Sequence, residues 1–259
     1  MAKKRILVYD IETSFCKGHF WRPGWNQTIH PNQITEHAKI ISIHWKWLGK
    51  NKVHNLDWGL KSQCDKKMLQ KFIEQMDKAD LIITHNGKRF DTPWIRTRAI
   101  FHDLDIRPTY NEVDTYKLAK KYLNLPSYSL KNVCEYYGLE AKKDAGGLQT
   151  WIDVVYNKDK KALNHLLYYG DGDITSLEDL YLKLKRYIPN KTHFAVLNGG
   201  EKFSCPDCLS NNVGISKTYT TAAGTIQHYM KCRECSQHYK VNNKTYMDLL
   251  QFKIKNNIK

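Results

Sequence analysis

The most constraining stretch lies near the N-terminus, where Ile6-Leu7-Val8-Tyr9 runs directly into Asp10-Ile11-Glu12-Thr13. Four consecutive apolar residues read as a strand buried on both faces. Residues i and i+2 of a strand share a face, so Asp10 and Glu12 project side by side. Two carboxylates crowded at the end of a buried strand repel each other and are costly to desolvate. A divalent cation removes that cost, and hard oxygen ligands favour Mg²⁺ or Mn²⁺. A strand that merely enters a solvated loop is the alternative on this stretch alone.

The chain has 259 residues, enough for one large domain with a small appendage. No run of 18 apolar residues is present, which argues against a membrane span. The basic N-terminus leads straight into a strand and does not read as a signal peptide, so a cytoplasmic setting is expected. The net charge of +15 points to a polyanionic partner, most simply nucleic acid.

Along the chain, residues 14–36 form a long polar and aromatic loop. Its Trp21 and Trp25 either stack on bases or cover a core edge. Residues 39–48 alternate as a half-buried strand, with Ser42, His44 and Lys46 on the polar face. Residues 53–58 read as its antiparallel neighbour, and 65–79 switch to a helical period. Leu81-Ile82-Ile83 is another strand, ending in His85-Asn86-Gly87-Lys88-Arg89-Phe90-Asp91. Thr92 and Pro93 suit the start of a helix, so Asp91 sits where a strand gives way to a helix. The carboxyl ends of strands are where α/β folds place their sites.

Asp114 reads as the cap of a helix over 115–124, followed by helices over 129–137 and 148–156. Lys142, Lys143 and Trp151 lie either near a substrate or on ordinary surface. The strongest helical period covers 158–187. Within it Tyr169 and Asp173 are four apart and share a face, whereas Asp171 faces elsewhere. Gly170 and Gly172 each cost about 1 kcal/mol there relative to alanine. They either permit a close approach or mark a bend.

These elements carry Asp-x-Glu on a strand, Asn-x-x-x-Phe-Asp at a strand end and Tyr-x-x-x-Asp on a late helix. In that order they resemble the tyrosine branch of the DEDD superfamily of 3′→5′ exonucleases, which includes the proofreading domains of DNA polymerases. The chain looks closest to stand-alone exonucleases of bacteria and phages, and the segment from Asp114 to Gly138 resembles that group too. The likeness covers about residues 4–188. It implies an α/β, RNase H-like mixed sheet flanked by helices. It further implies that Asp10, Glu12 and Asp173 hold one Mg²⁺ or Mn²⁺, that Asp10 bridges to a second, and that Asp91 acts mainly through water. Tyr169 would orient the attacking water, with Asp171 the alternative to Asp173 as ligand. Thr13 and Asn86 would contact the terminal nucleotide, and Phe90 would pack in the core. The expected substrate is single-stranded nucleic acid, DNA favoured over RNA. A structure-selective endonuclease and a non-catalytic nucleic-acid-binding adaptor are the alternatives.

The tail has its own signature. Cys205-Pro206-Asp207-Cys208 and Cys232-Arg233-Glu234-Cys235 are two CxxC pairs whose thiolates suit one structural Zn²⁺. With a hairpin between them, the module resembles a zinc ribbon. The expected boundaries are 1–190 for the catalytic domain, 191–202 for a linker, 203–240 for the ribbon and 241–259 for a basic tail, whose final Lys-Asn stretch is expected to be partly disordered. Residues 191–259 carry ten lysines and arginines against four acidic residues. The ribbon therefore suits phosphates, through Lys217, Tyr219, Lys231 and Arg233, or else a docking protein.

Overall fold

The computed structural model describes residues 5–22, 28–140, 146–189 and 192–258. They divide into two compact units, separated between Tyr181 and Leu182.

The larger unit is organised on strand β1 (Ile6–Thr13). A small ribbon, β2 (Lys17–Gly18) with β3 (Ile34–Glu36), follows it. Then come β4 (Ile40–Trp47), β5 (Val53–Asp57), helix α1 (Lys66–Met76) and β6 (Leu81–Thr84). Helix α2 (Asp91–Phe101), β7 (Glu112–Asp114), α3 (Thr115–Tyr122), α4 (Leu130–Tyr136), α5 (Gly147–Val155) and the long α6 (Lys160–Leu184) complete it.

The main sheet has the order β5-β4-β1-β6-β7. β1 runs antiparallel to β4 and parallel to β6, so the sheet is mixed. Leu7, Val8 and Tyr9 are fully buried, as expected of a central strand covered on both faces. Tyr9 packs on Phe72 of α1, with ring centroids 5.1 Å apart.

β4 departs from its alternating pattern. Ser42, His44 and Lys46 are all buried, not solvent-facing. The cause is α6: Lys46 pairs with its Glu178, and His44 with its Asp171. A second helix layer thus turns a polar face into a buried polar layer. His54 behaves as an ordinary strand residue, stacked on Trp45 at 5.3 Å.

The smaller unit begins in the last turn of α6. It adds α7 (Phe194–Leu197), strands β8 (Val213–Thr220), β9 (Ile226–Cys232) and β10 (His238–Asn242), and α8 (Asn243–Lys255). The strands form one antiparallel sheet in the order β10-β9-β8. Within 191–202, Phe194 is fully buried and its N–H donates to the Pro206 carbonyl at 3.0 Å. The basic tail carries helix α8, capped by Asn242, whose side chain accepts from the Thr245 N–H at 2.8 Å. Leu249 of α8 buries against Met230 and Val241, and that burial orders the tail.

Candidate active site

β1 outruns its parallel neighbour. Its register with β6 ends at Val8–Ile83, and β6 itself ends at Thr84. Beyond that point the β1 edge needs other partners. The Ile11 N–H donates to Asp91 Oδ1 at 3.1 Å, which anchors Asp91 beside Asp10 and Glu12. Asp91 is the first residue of α2, one position before the expected start. The hydroxyl of Thr92 does not cap the helix. It lies 2.8 Å from the Tyr9 hydroxyl and donates to Glu112 Oε2 at 3.1 Å, while Thr84 holds Glu112 Oε1 at 2.7 Å. This buried polar chain fixes the start of α2 and therefore Asp91.

On the opposite face, Asp10 stands directly across from His44, and Glu12 across from Ser42. α6 crosses this face at close range. A Cβ on Gly170 would sit 2.4 Å from His44 Nε2, so only glycine admits this approach. His44 Nδ1 lies 2.9 Å from Asp171 Oδ1, and Asn55 donates to the same carboxylate at 2.9 and 3.1 Å. Asp171 is thus engaged with β4 and β5. Asp173, buried at 2% exposure, instead joins Asp10 and Glu12. One carboxylate oxygen from each of the three falls within 4.8 Å of the others.

Three carboxylates so close suit a hard divalent cation, because an all-oxygen donor set matches Mg²⁺ or Mn²⁺. Burial, and then the charge of Asp10, push the Asp91 carboxyl well above the usual carboxylate range. A cation sharing the site would oppose both effects, because its charge favours the ionised carboxylates. Tyr169 is buried one turn before Asp173, at 8% exposure. Asp10, Glu12 and Asp173 thus come together as a three-carboxylate set, with Asp91 on the Ile11 amide.

A cleft of about 420 Å³ opens from Asp10 and Asp173. Asn86, His85, Tyr116, Tyr128 and Ser129 line it. Asn86 adopts φ 69°, a left-handed conformation that asparagine tolerates, and its N–H donates to Asp114 Oδ1 at 2.9 Å. Asp114 also caps α3, as its position suggested. The cleft's aromatic wall is built edge-on: His85 to Tyr116 at 5.7 Å and Tyr116 to Tyr128 at 6.3 Å. Sequence reasoning passed over His85, Tyr116, Tyr128 and Ser129, although Ser129 was legible as the cap of α4.

Other expectations fare differently. Thr13 lies at the end of β1, and its carbonyl accepts from Trp151 Nε1 at 3.0 Å, which gives Trp151 a tethering role in the fold. Phe90 does not pack in the core. It is 41% exposed, edge-on to Trp94, because the 85–90 turn swings it outward before α2 begins. Trp21 is fully exposed. Trp25, Lys142 and Lys143 fall outside the described residues.

The four cysteines of the smaller unit also converge. Cys205 and Cys235 sulfurs lie 3.5 Å apart, as do those of Cys208 and Cys232. A tetrahedron of Zn–S bonds of about 2.3 Å has edges of about 3.8 Å. Burial pushes the Cys205 thiol up and the Cys208 thiol up to about 11, whereas Cys232 is lowered. Four clustered thiols lose their protons together only around a cation, so the donor set is compatible with a zinc ribbon.

A family described as the RNase_H superfamily matches residues 35–185, more than half of the chain, and the chain belongs to it. The particular likenesses are to DNA polymerases. A DNA polymerase of Methanocaldococcus jannaschii is 27% identical over 101 residues, covering 30% of this chain and 6% of that one. The family B DNA polymerase of the archaeon Pyrobaculum calidifontis shares the fold, with a TM-score of 0.54 at 18% identity over 71% of this chain. This chain spans only 25% of that polymerase's length. No helix among the described residues is long and apolar enough to cross a membrane.

Proposed function

We propose that the protein is a metal-dependent 3′→5′ exonuclease that removes nucleoside 5′-monophosphates from single-stranded ends. The observation that carries this reading is the convergence of Asp10, Glu12 and Asp173 at the mouth of a cleft walled by Tyr116, Tyr128 and His85. The likeness to DNA polymerases favours DNA over RNA.

Asp10, Glu12 and Asp173 would hold Mg²⁺ or Mn²⁺, with Asp10 shared between two ions and Asp91 reaching the second through water. When bound, two such ions acidify water and neutralise developing charge on a phosphodiester. The protein's own contribution is positioning. The cleft wall would offer ring edges and faces to the terminal base, and Asn86 in that wall and Thr13 at the end of β1 would contact the terminal nucleotide. Tyr169 would orient the attacking water, since a phenol titrating near 10 is a poor general base at neutral pH. In the smaller unit the four cysteines would hold one structural Zn²⁺.

The test is a time course on 5′-labelled single-stranded DNA and matched RNA with Mg²⁺ or Mn²⁺, beside Asp10→Ala. A ladder shortening from the 3′ end, lost in the variant, is expected. A single internal cut would replace the reading with a structure-selective endonuclease. Intact strands with retained binding would replace it with a nucleic-acid-binding adaptor.

A further inference from the structure

The three-stranded sheet of the smaller unit has two unlike faces. Its inner face carries His228, Met230 and Val241, which pack on α8: the His228 and Tyr246 rings lie 4.4 Å apart, and Met230 and Val241 share a core with Leu249. The outer face follows from the register. Tyr229 stands opposite both Lys217 and Lys240, Gln227 opposite Tyr219, and Lys231 opposite His238. Opposed residues share a face, so two tyrosines and three lysines occupy one surface.

That surface is organised. The Tyr219 and Tyr229 rings are 5.1 Å apart and tilted by 32°. The Lys240 ammonium lies over both, 5.6 Å from the first ring centre and 4.8 Å from the second. Lys217, Lys231 and Lys240 are exposed, and both tyrosines are half-exposed. The three strands contain no aspartate or glutamate. From Tyr229 and Lys240 a groove of about 550 Å³ continues past His238 to Arg186 and Tyr187, which is 76% exposed. Its size is that of a ligand site, commonly about 300–1,000 Å³.

We propose that this outer face and its groove form a second binding surface, separate from the carboxylate site, for single-stranded nucleic acid. Bases stack on Tyr229, Tyr219 and Tyr187, and the phosphates run along Lys217, Lys231, Lys240 and Arg186. A core-forming role does not account for the tyrosines, since the apolar core lies on the other face. Solubility does not account for a lysine, Lys240, held over two aromatic rings. Aromatic platforms within a field of one positive sign match a single strand, whose bases are splayed and whose backbone is an unbroken row of negative charges.

The inference goes beyond the nuclease reading and is tested without cleavage. The full chain carrying Asp10→Ala is titrated against fluorescently labelled single-stranded DNA and RNA 20-mers in anisotropy, with zinc retained. Tyr229→Ala is expected to weaken binding about 10-fold, and Tyr229→Phe to preserve it. Lys217→Gln with Lys231→Gln, both exposed and neutral to folding, are expected to flatten the salt dependence of log K by about 0.7 per lysine. The DNA and RNA arms report which sugar the face prefers. An unchanged Kd and salt slope in the double lysine variant would overturn the proposal and leave the face as a protein contact. Equal loss in Tyr229→Phe and Tyr229→Ala would overturn stacking. If the strands bind through this face but the unmodified chain with Mg²⁺ or Mn²⁺ never cuts them, the proposal stands and the nuclease reading fails.

Discussion

In the larger unit the strands themselves are core: Leu7, Tyr9, Ile41, Ile43 and Ile83 are fully buried, and α1, α2 and α6 cover the sheet. In the smaller unit the buried cluster is Phe203, Cys205, Val213, Met230, Cys232, Val241 and Leu249, with two cysteines among its seven members. The first can be stable through apolar burial at about 25 cal/mol per Å². The second is of a size at which a hydrophobic core rarely supplies more than about 3–5 kcal/mol, and it needs a staple. On the proposed reading metal would play opposite parts in the two: at the four cysteines it would be a condition of folding, whereas at Asp10, Glu12 and Asp173 it would be a condition of chemistry on a fold held by its own apolar core.

If the four cysteines hold zinc as proposed, the sharpest way to break this contrast is to remove it. A structural Zn²⁺ contributes on the order of 10–16 kcal/mol in small metal-folded modules. Treatment with a zinc chelator is expected to abolish hydrogen-exchange protection across Val213–Asn242 and leave β1, β4 and β6 protected. Equal loss in both units, or in neither, would show that they do not differ in this way. Next in size is Asp10→Ala, which is expected to lower cleavage by about 10³-fold or more while leaving the exchange pattern of β1 and the zinc content unaltered. An apo chain whose β1 unfolds in this variant would mean that the carboxylates serve the fold as well.

A smaller effect probes how α6 brings its carboxylate to β1. Gly170→Ala relieves a glycine inside a helix, worth about 1 kcal/mol, but forces a methyl to within 2.4 Å of the His44 ring. Overpacking of this kind costs about 1–3 kcal/mol, and it also threatens the contacts of His44 with Ser42 and Asp171. The clash should win, giving a net loss of about 1–2 kcal/mol in urea denaturation, with activity falling as Asp173 shifts. Net stabilisation would show that α6 does not depend on this contact for its register.

What the sequence made legible follows from local rules. The burial of Ile6–Tyr9, the side-by-side Asp10 and Glu12, the cap at Asp114 and the two CxxC pairs are all short-range patterns, and each lies where the pattern put it. What escaped depends on packing between distant segments. The polar alternation of Ser42, His44 and Lys46 reads as a solvated face until α6, more than a hundred residues later, covers it. The aromatic wall is assembled from the turn after β6 (His85), the start of α3 (Tyr116) and the segment before α4 (Tyr128), and no spacing rule links them. The helix beyond Asn242 likewise depends on distant packing, since Leu249 buries against Met230 and Val241. Gly170 sits between these cases: its cost inside a helix was visible, and the ring that justifies it was not.

Acid should separate the two units as well, and by the smallest of the effects considered. In the larger unit Asp65 is fully buried. Burial raises its pKa, but hydrogen bonds from Arg98 at 2.7 and 2.9 Å, from His102 at 2.6 Å and from the Ile40 N–H outweigh it, and the net shift is below the ordinary value of 3.8. A carboxyl depressed in the folded state gives stability that is fully present above the unfolded pKa. That stability is lost as pH falls through the lower folded value, so the larger unit should hold its Asp65 contribution down to about pH 4. With zinc held as proposed, the smaller unit should fail earlier, because protons would compete with the ion for the four thiolates. On acidification, zinc release and loss of protection in Val213–Asn242 should therefore precede unfolding of the main sheet. Asp65→Asn should lower stability at neutral pH and flatten the acid limb of the larger unit alone. If the variant retained the parent's acid slope, the Arg98–Asp65–His102 cluster would not be what carries it. Simultaneous transitions in the unmodified chain would mean that the two units do not unfold independently in acid.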